Sequence, residues 1–156
     1  MKNFLLTLSF FVFVPFYQWS QSIEAIEAGM QKAGLVDIKT LDPSIVVDLK
    51  YSTCDNFVGK DMYGTFDKAF LRPEVARKLV MIQRMLKSMD VKYSLVIYDA
   101  ARPLSVQKIM YDEVRYTRFR RYVARPVGGG HHNFGVAVDL SILYDGKPLD
   151  MGTPFD

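Results

Sequence analysis

Apolar and polar positions along this chain recur with two different periods, and the switches between them mark out its elements. Val75, Leu79, Ile82, Leu86 and Met89 follow one another at spacings of four, three, four and three, the repeat of one helix face turned to a core. Arg72-Pro73-Glu74 opens that helix, since proline suits the first turn and the helix dipole favours a carboxylate there. Met81, Met85 and Met89 on the same segment read as adaptable core filler. A second helix is predicted from Ser105 to about Tyr116, with Val106, Ile109, Met110 and Val114 inward, and a short surface helix from Ser22 to Ala33, with Gly34 as its stop. Period-two or β-branched stretches predict strands over 45–51, 92–98 and 135–143, the last closing on Tyr144-Asp145-Gly146-Lys147, where Asp-Gly signals a hairpin turn. Strands and helices mixed without a regular βαβ repeat predict a single α+β domain, helices packed against a small, largely antiparallel sheet.

The first residues break both periods. Phe4 to Phe16 is almost wholly apolar behind Lys2, too short for the roughly 20 residues of a bilayer-spanning helix. With Ser20 and Ser22 behind it, this layout predicts a signal peptide over 1–22, cleaved between about Ser20 and Ile23, and an exported, periplasmic or extracytoplasmic domain over 23–156. After cleavage no stable membrane partner is expected; an uncleaved anchor, with Tyr17 and Trp19 at the membrane interface, is the alternative.

Composition then removes several classes of function. The chain of 156 residues is 49% hydrophobic and 24% charged with a formal charge of +3, which describes an ordinary globular domain. Arg115, Arg118, Arg120, Arg121 and Arg125 cluster, but no nucleic-acid motif accompanies them, so they read as a solvated helix end and loop and no nucleic-acid partner is expected. Cys54 is the only cysteine; it has no partner for an internal disulfide and no neighbouring histidine to activate it.

Chemistry concentrates in Gly130-His131-His132-Asn133-Phe134-Gly135-Val136-Ala137-Val138-Asp139. Both histidines of the chain lie here, and Asp139 follows His132 by seven positions. An extended run of that length spans roughly 23 Å, too far for one ion, so a shared site requires the chain to double back. Gly135 can make that turn. A neutral imidazole with a carboxylate suits zinc, although the spacing alone equally allows a hydrogen-bonded histidine and an aspartate on the solvent face of a strand.

Three ordered motifs carry the reading further. His132-x-x-Gly135-x-Ala137-x-Asp139, preceded by Tyr98-Asp99-x-x-Arg102-Pro103 and by Tyr51-Ser52-Thr53-x-x-Asn56-Phe57, resembles the D-alanyl-D-alanine dipeptidase family of zinc peptidases, as does the ending Asp150 to Asp156. The resemblance implies hydrolysis of D-Ala-D-Ala, a cell-wall precursor dipeptide, with one Zn2+ held by His132 and Asp139 as two of its three protein ligands. Arg102 would lie over the bound dipeptide's carbonyl and stabilise the oxyanion, although taken alone it also fits a structural ion pair at a strand end, and Asp99 would be a structural partner or helix cap. The resemblance also implies a downstream Glu-x-x-His motif giving the catalytic base and third ligand. No such motif occurs within these residues, and the expectation is a chain that stops short of that segment. Gly130 stands where the family usually carries a substrate-binding serine. A non-catalytic cell-wall peptide-binding module is the competing expectation.

Overall fold

The computed structural model describes residues 23–155; the expected leader over 1–22 lies outside the described residues. In chain order the elements are α1 (Ile23–Lys32), β1 (Val36–Asp37), β2 (Val46–Val47), β3 (Phe70–Leu71), α2 (Pro73–Met89), β4 (Tyr93–Asp99), α3 (Leu104–Val114), β5 (Asp139–Tyr144) and β6 (Lys147–Pro148). Short 3-10 turns lie at Ile38–Thr40, Lys50–Ser52, Arg118–Tyr122 and His131–Phe134. The α+β expectation holds: three helices accompany a four-stranded sheet of order β2-β4-β5-β6 and a small β1-β3 pair. Every pairing is antiparallel except β2 with β4.

β4 organises the molecule because it is buried on both faces. Successive strand side chains point to opposite sides, so Leu95 and Ile97 pack with Ala76, Leu79 and Val80 of α2, while Val96 and Tyr98 pack with Leu143 and Phe155. α2 begins at Pro73 as the sequence predicts, but its buried face is Ala76, Leu79, Val80 and Gln83. Ile82, Met81, Met85 and Met89 are exposed, which corrects the expectation that these methionines fill a core. Gln83 turns inward because it pairs polar groups that a hydrophobic side chain would leave unsatisfied. Its amide donates to Ser44 Oγ at 2.9 Å and Ser94 Oγ at 3.1 Å, and its carbonyl accepts from Leu95 N at 2.8 Å.

The same substitution of a polar residue for an apolar one occurs in α3, where Gln107 is buried and Ile109 exposed. The strand expected over 45–51 shrinks to Val46–Val47. Beyond it Asp48 N still donates to Ile97 O at 2.9 Å, and then the 3-10 turn takes over. Leu49 and Tyr51 are buried nonetheless, in the cluster formed with Tyr63, Phe66, Phe70, Val106 and Met110. The hairpin after β5 turns at Asp145 (φ 53°) and Gly146 (φ 76°), both in the left-handed region that a tight two-residue turn demands.

Candidate metal centre

Two local features bring the chemical residues together. The first is a register shift between Ile97 and Asp99 in the β4–β5 pair, which makes Asp99 and Asp139 partners across the ladder. An extra residue in one strand re-aims the side chains beyond it, and here it sets two carboxylates side by side. The second is the 3-10 turn His131–Phe134, ended by Gly135 at φ 68°. This is the doubling back that the His132–Asp139 spacing requires. A Cβ on Gly135 would meet Leu35 Cδ2 at 2.7 Å, so both the angle and the space at that position call for glycine.

The turn is clamped from several sides. Arg102 N donates to His132 O at 3.0 Å and Arg72 N to Gly135 O at 2.9 Å. Asn133 Nδ2 donates to Arg102 O at 2.9 Å, and Asn133 Oδ1 accepts from Gly130 N at 2.6 Å. His132 is thereby held between the two aspartates, its Nδ1 2.9 Å from Ala100 O and 3.4 Å from Asp99 Oδ2, its Nε2 3.6 Å from Asp139 Oδ2. A carbonyl only accepts, so Nδ1 carries the proton in the neutral ring and the Nε2 lone pair faces Asp139. Burial lowers the affinity of His132 for a second proton, but the paired Asp139 and the charge of Asp99 outweigh it, and the pKa is raised above the usual imidazole value.

Behind this pair lies a buried charge network. Asp99 is fully buried; its carboxylate accepts from Tyr63 Oη at 2.9 Å and from Arg102 Nη2. Arg102 Nη1 donates to Gln107 Oε1 at 2.9 Å and approaches Met110 Sδ at 3.1 Å. The guanidinium also lies 5.0 Å over the Tyr51 ring. Burial opposes the charge on Arg102, yet the Asp99 carboxylate raises its pKa further, so the side chain is a permanent cation. Burial and then the Asp99 charge push the Tyr63 phenol well above its ordinary value, keeping it a neutral donor. Arg102 Nε is buried without a hydrogen-bond partner among the described residues.

The catalytic and metal candidates of the sequence open on one cleft. Arg102, His132 and Asp139 line it together with Tyr51, Phe57, Phe119 and Phe155. Its volume of about 1070 Å³ matches the upper end of small-molecule sites, roughly 300–1,000 Å³, so space by itself does not confine the ligand to a dipeptide. Asp139 is the one carboxylate among the described residues that line it. His131 is exposed at the same rim. Asp99, His132 and Asp139 can each bring a ligand atom within 4.8 Å of the others. That nitrogen and oxygen set fits a zinc-type ion, with Asp99 already committed to Arg102 and Tyr63. The exposed Cys54 thiol is not part of the set.

Of the two roles expected for Asp99, structural partner or helix cap, the structure shows the first, with Arg102 as the partner, and sequence reasoning missed Tyr63, Gln107 and Asn133. Tyr63 lies 36 positions from Asp99, and no local pattern announces such a contact. The Tyr51 to Phe57 motif proves to be scaffold and wall: Asn56 Nδ2 donates to Thr53 O at 2.7 Å and Lys60 O at 3.0 Å, its Oδ1 accepts from Val58 N at 3.0 Å, and Phe57 faces the cleft. At Gly130 a Cβ would stand 3.0 Å from Ala124 Cβ, so a side chain there needs the opposite loop to yield.

Comparison with known proteins gives the family. A family profile described as D-ala-D-ala dipeptidase, peptidase M15, matches residues 31–156. The chain is also 32% identical over 130 residues to the D-alanyl-D-alanine dipeptidase of Escherichia coli (strain K12), an alignment covering 78% of this chain and 61% of the relative. The chain thus spans about three-fifths of the length of that relative.

Proposed function

Because the chain belongs to the D-Ala-D-Ala dipeptidase family of peptidases, we propose that its cleft binds the dipeptide D-Ala-D-Ala over a zinc ion held by His132 and Asp139, and that it serves hydrolysis of that cell-wall precursor in an exported protein. The observation that carries the reading is the orientation of His132. Its Nδ1 is committed to the Ala100 carbonyl and its Nε2 is turned to the Asp139 carboxylate, inside the same cleft that Arg102 lines. A carbonyl partner on the far ring nitrogen is the usual way a metal-binding histidine is oriented.

Each residue of the chain then has a distinct task. Asp139 supplies an anionic oxygen and His132 a neutral nitrogen. Arg102, fixed by Asp99 and Gln107, offers a planar cation for the carbonyl or carboxylate of the peptide, where charge develops as the bond is attacked. Tyr51, Phe57, Phe119 and Phe155 exclude water from the apolar side of the ligand. When bound, zinc supplies a water of lowered pKa and polarises the peptide carbonyl. Hydrolysis also needs a base for that water, and Asp139, the carboxylate of the described cleft wall, is here assigned to the metal. A second reading, in which these residues bind the dipeptide without turning it over, is tested beside the first.

The two readings separate in one experiment on the purified chain with added zinc. D-alanine release and dipeptide binding are followed side by side, with His132→Ala as the control. Release that vanishes in the control establishes the dipeptidase. Zinc-dependent binding without release rejects hydrolysis by these residues and supports the binding reading for them, and neither release nor zinc-dependent binding refutes both.

A further inference from the structure

The outward face of α2 serves neither the core nor the cleft. Met81, Met85 and Met89 are 63%, 66% and 74% exposed, with Ile82 beside them and Val91 just beyond the helix end. At 3.6 residues per turn, Arg77, Lys78, Met81, Ile82, Arg84, Met85 and Met89 share roughly 160° of arc. Single exposed apolar side chains are ordinary, but a contiguous ridge of them marks a contact surface.

Charge identifies the occupant. α2 carries Arg77, Lys78, Arg84 and Lys87 against Glu74, a formal +3 (4 − 1), as large as the +3 of the whole chain. Among the described residues no carboxylate pairs with Arg77, Lys78 or Arg84. An apolar ridge edged by unpaired cations is the composition that binds an anionic bilayer surface, apolar side chains at the headgroup boundary and cations among the phosphates. A protein partner is a poorer match, because the centre of a protein interface is anchored chiefly by aromatic side chains set in pockets, and α2 carries no aromatic residue. We propose that α2 docks the domain on an anionic lipid surface. No α2 residue lines the cleft, so docking leaves the cleft walls untouched.

The test uses methionine oxidation as a local footprint. The full chain is exposed briefly to peroxide with phosphatidylglycerol/phosphatidylcholine vesicles, with phosphatidylcholine vesicles, or with none, and sulfoxide at each methionine is read by mass spectrometry. Met151, 60% exposed and distant in sequence from α2, is the internal reference. On anionic vesicles Met81, Met85 and Met89 should oxidise about fivefold more slowly relative to Met151, with no slowing on phosphatidylcholine. Each cation near such a surface is worth about fivefold in partition, so Arg77→Gln/Arg84→Gln should weaken binding about 25-fold and restore the rates. Unchanged rates on anionic vesicles overturn the proposal. So does equal protection on both lipids, which removes the role of charge, or protection without lipid, which assigns the face to a second copy of the chain. None of these outcomes depends on dipeptidase activity.

Discussion

Replacing Asp99 by asparagine removes one charge and almost no volume from the centre of the molecule. In the native fold the carboxylate holds Arg102, accepts from Tyr63 and borders His132. Asp99→Asn leaves a guanidinium that is nearly buried with neutral partners alone, namely the amide oxygen that replaces the carboxylate, Gln107 Oε1, Met110 Sδ and the Tyr51 ring. Breaking a buried ion pair from one side costs about 3–5 kcal/mol, a large share of the roughly 5–15 kcal/mol that stabilises a domain. With a urea slope of about 2 kcal/mol/M, the unfolding midpoint should fall by about 1.5–2.5 M at unchanged slope. Removing the stranded cation should recover much of this loss, so Asp99→Asn/Arg102→Met should be more stable than Asp99→Asn. The assay is urea unfolding followed by circular dichroism on the four proteins of this cycle. A loss below about 1 kcal/mol, or two single effects that simply add in the double variant, would refute the reasoning, because a carboxylate that mattered to Arg102 must show coupling.

Gly135→Ala should cost about 1–3 kcal/mol in thermal unfolding, since the new Cβ meets Leu35 at 2.7 Å and the residue sits at φ 68°; it should also weaken zinc binding by shifting His132 away from Asp139. Gln83→Leu should destabilise by about 1–3 kcal/mol despite its greater hydrophobicity, because Leu95 N loses its acceptor, and a neutral or stabilising result in urea unfolding would contradict that account. The pKa of His132 is raised in the metal-free fold, so the protonated ring contributes stability below the unfolded value of about 6.5, and this is lost as pH rises through the folded value. In paired urea titrations, the stability advantage of the metal-free chain over His132→Gln should shrink with rising pH. Zinc affinity should do the opposite, climbing with pH as the competing proton leaves; calorimetry across that range showing a flat profile would remove His132 from the metal centre.

Much of this protein is decided locally and is therefore legible in the chain. Pro73 starts α2, Asp145-Gly146 makes the hairpin and Gly135 ends the turn before β5 because each depends on backbone angles that its own residue type sets. The His132 to Asp139 stretch offered a candidate pair for a similar reason, because turn and ligand chemistry lie close together in the chain, whereas the metal reading and the role of Arg102 came only through the resemblance of three ordered motifs to a known family. How far α2 turns about its own axis was not legible: Val75, Leu79 and Leu86 of the expected stripe pack on the core, but Ile82 and Met89 are exposed. Ile82 and Met89 continue the apolar repeat as well as Ala76 and Val80 do, and the choice fell to Gln83, whose partners Ser44, Ser94 and Leu95 are supplied by other segments. The pairing of Asp99 with Asp139 across a register shift, and the meeting of Asp99 with Tyr63, likewise depend on how distant segments dock. Periodicity reports what a residue prefers along its own helix or strand; the energy of satisfying a buried polar group depends on where the rest of the chain has placed its donors and acceptors.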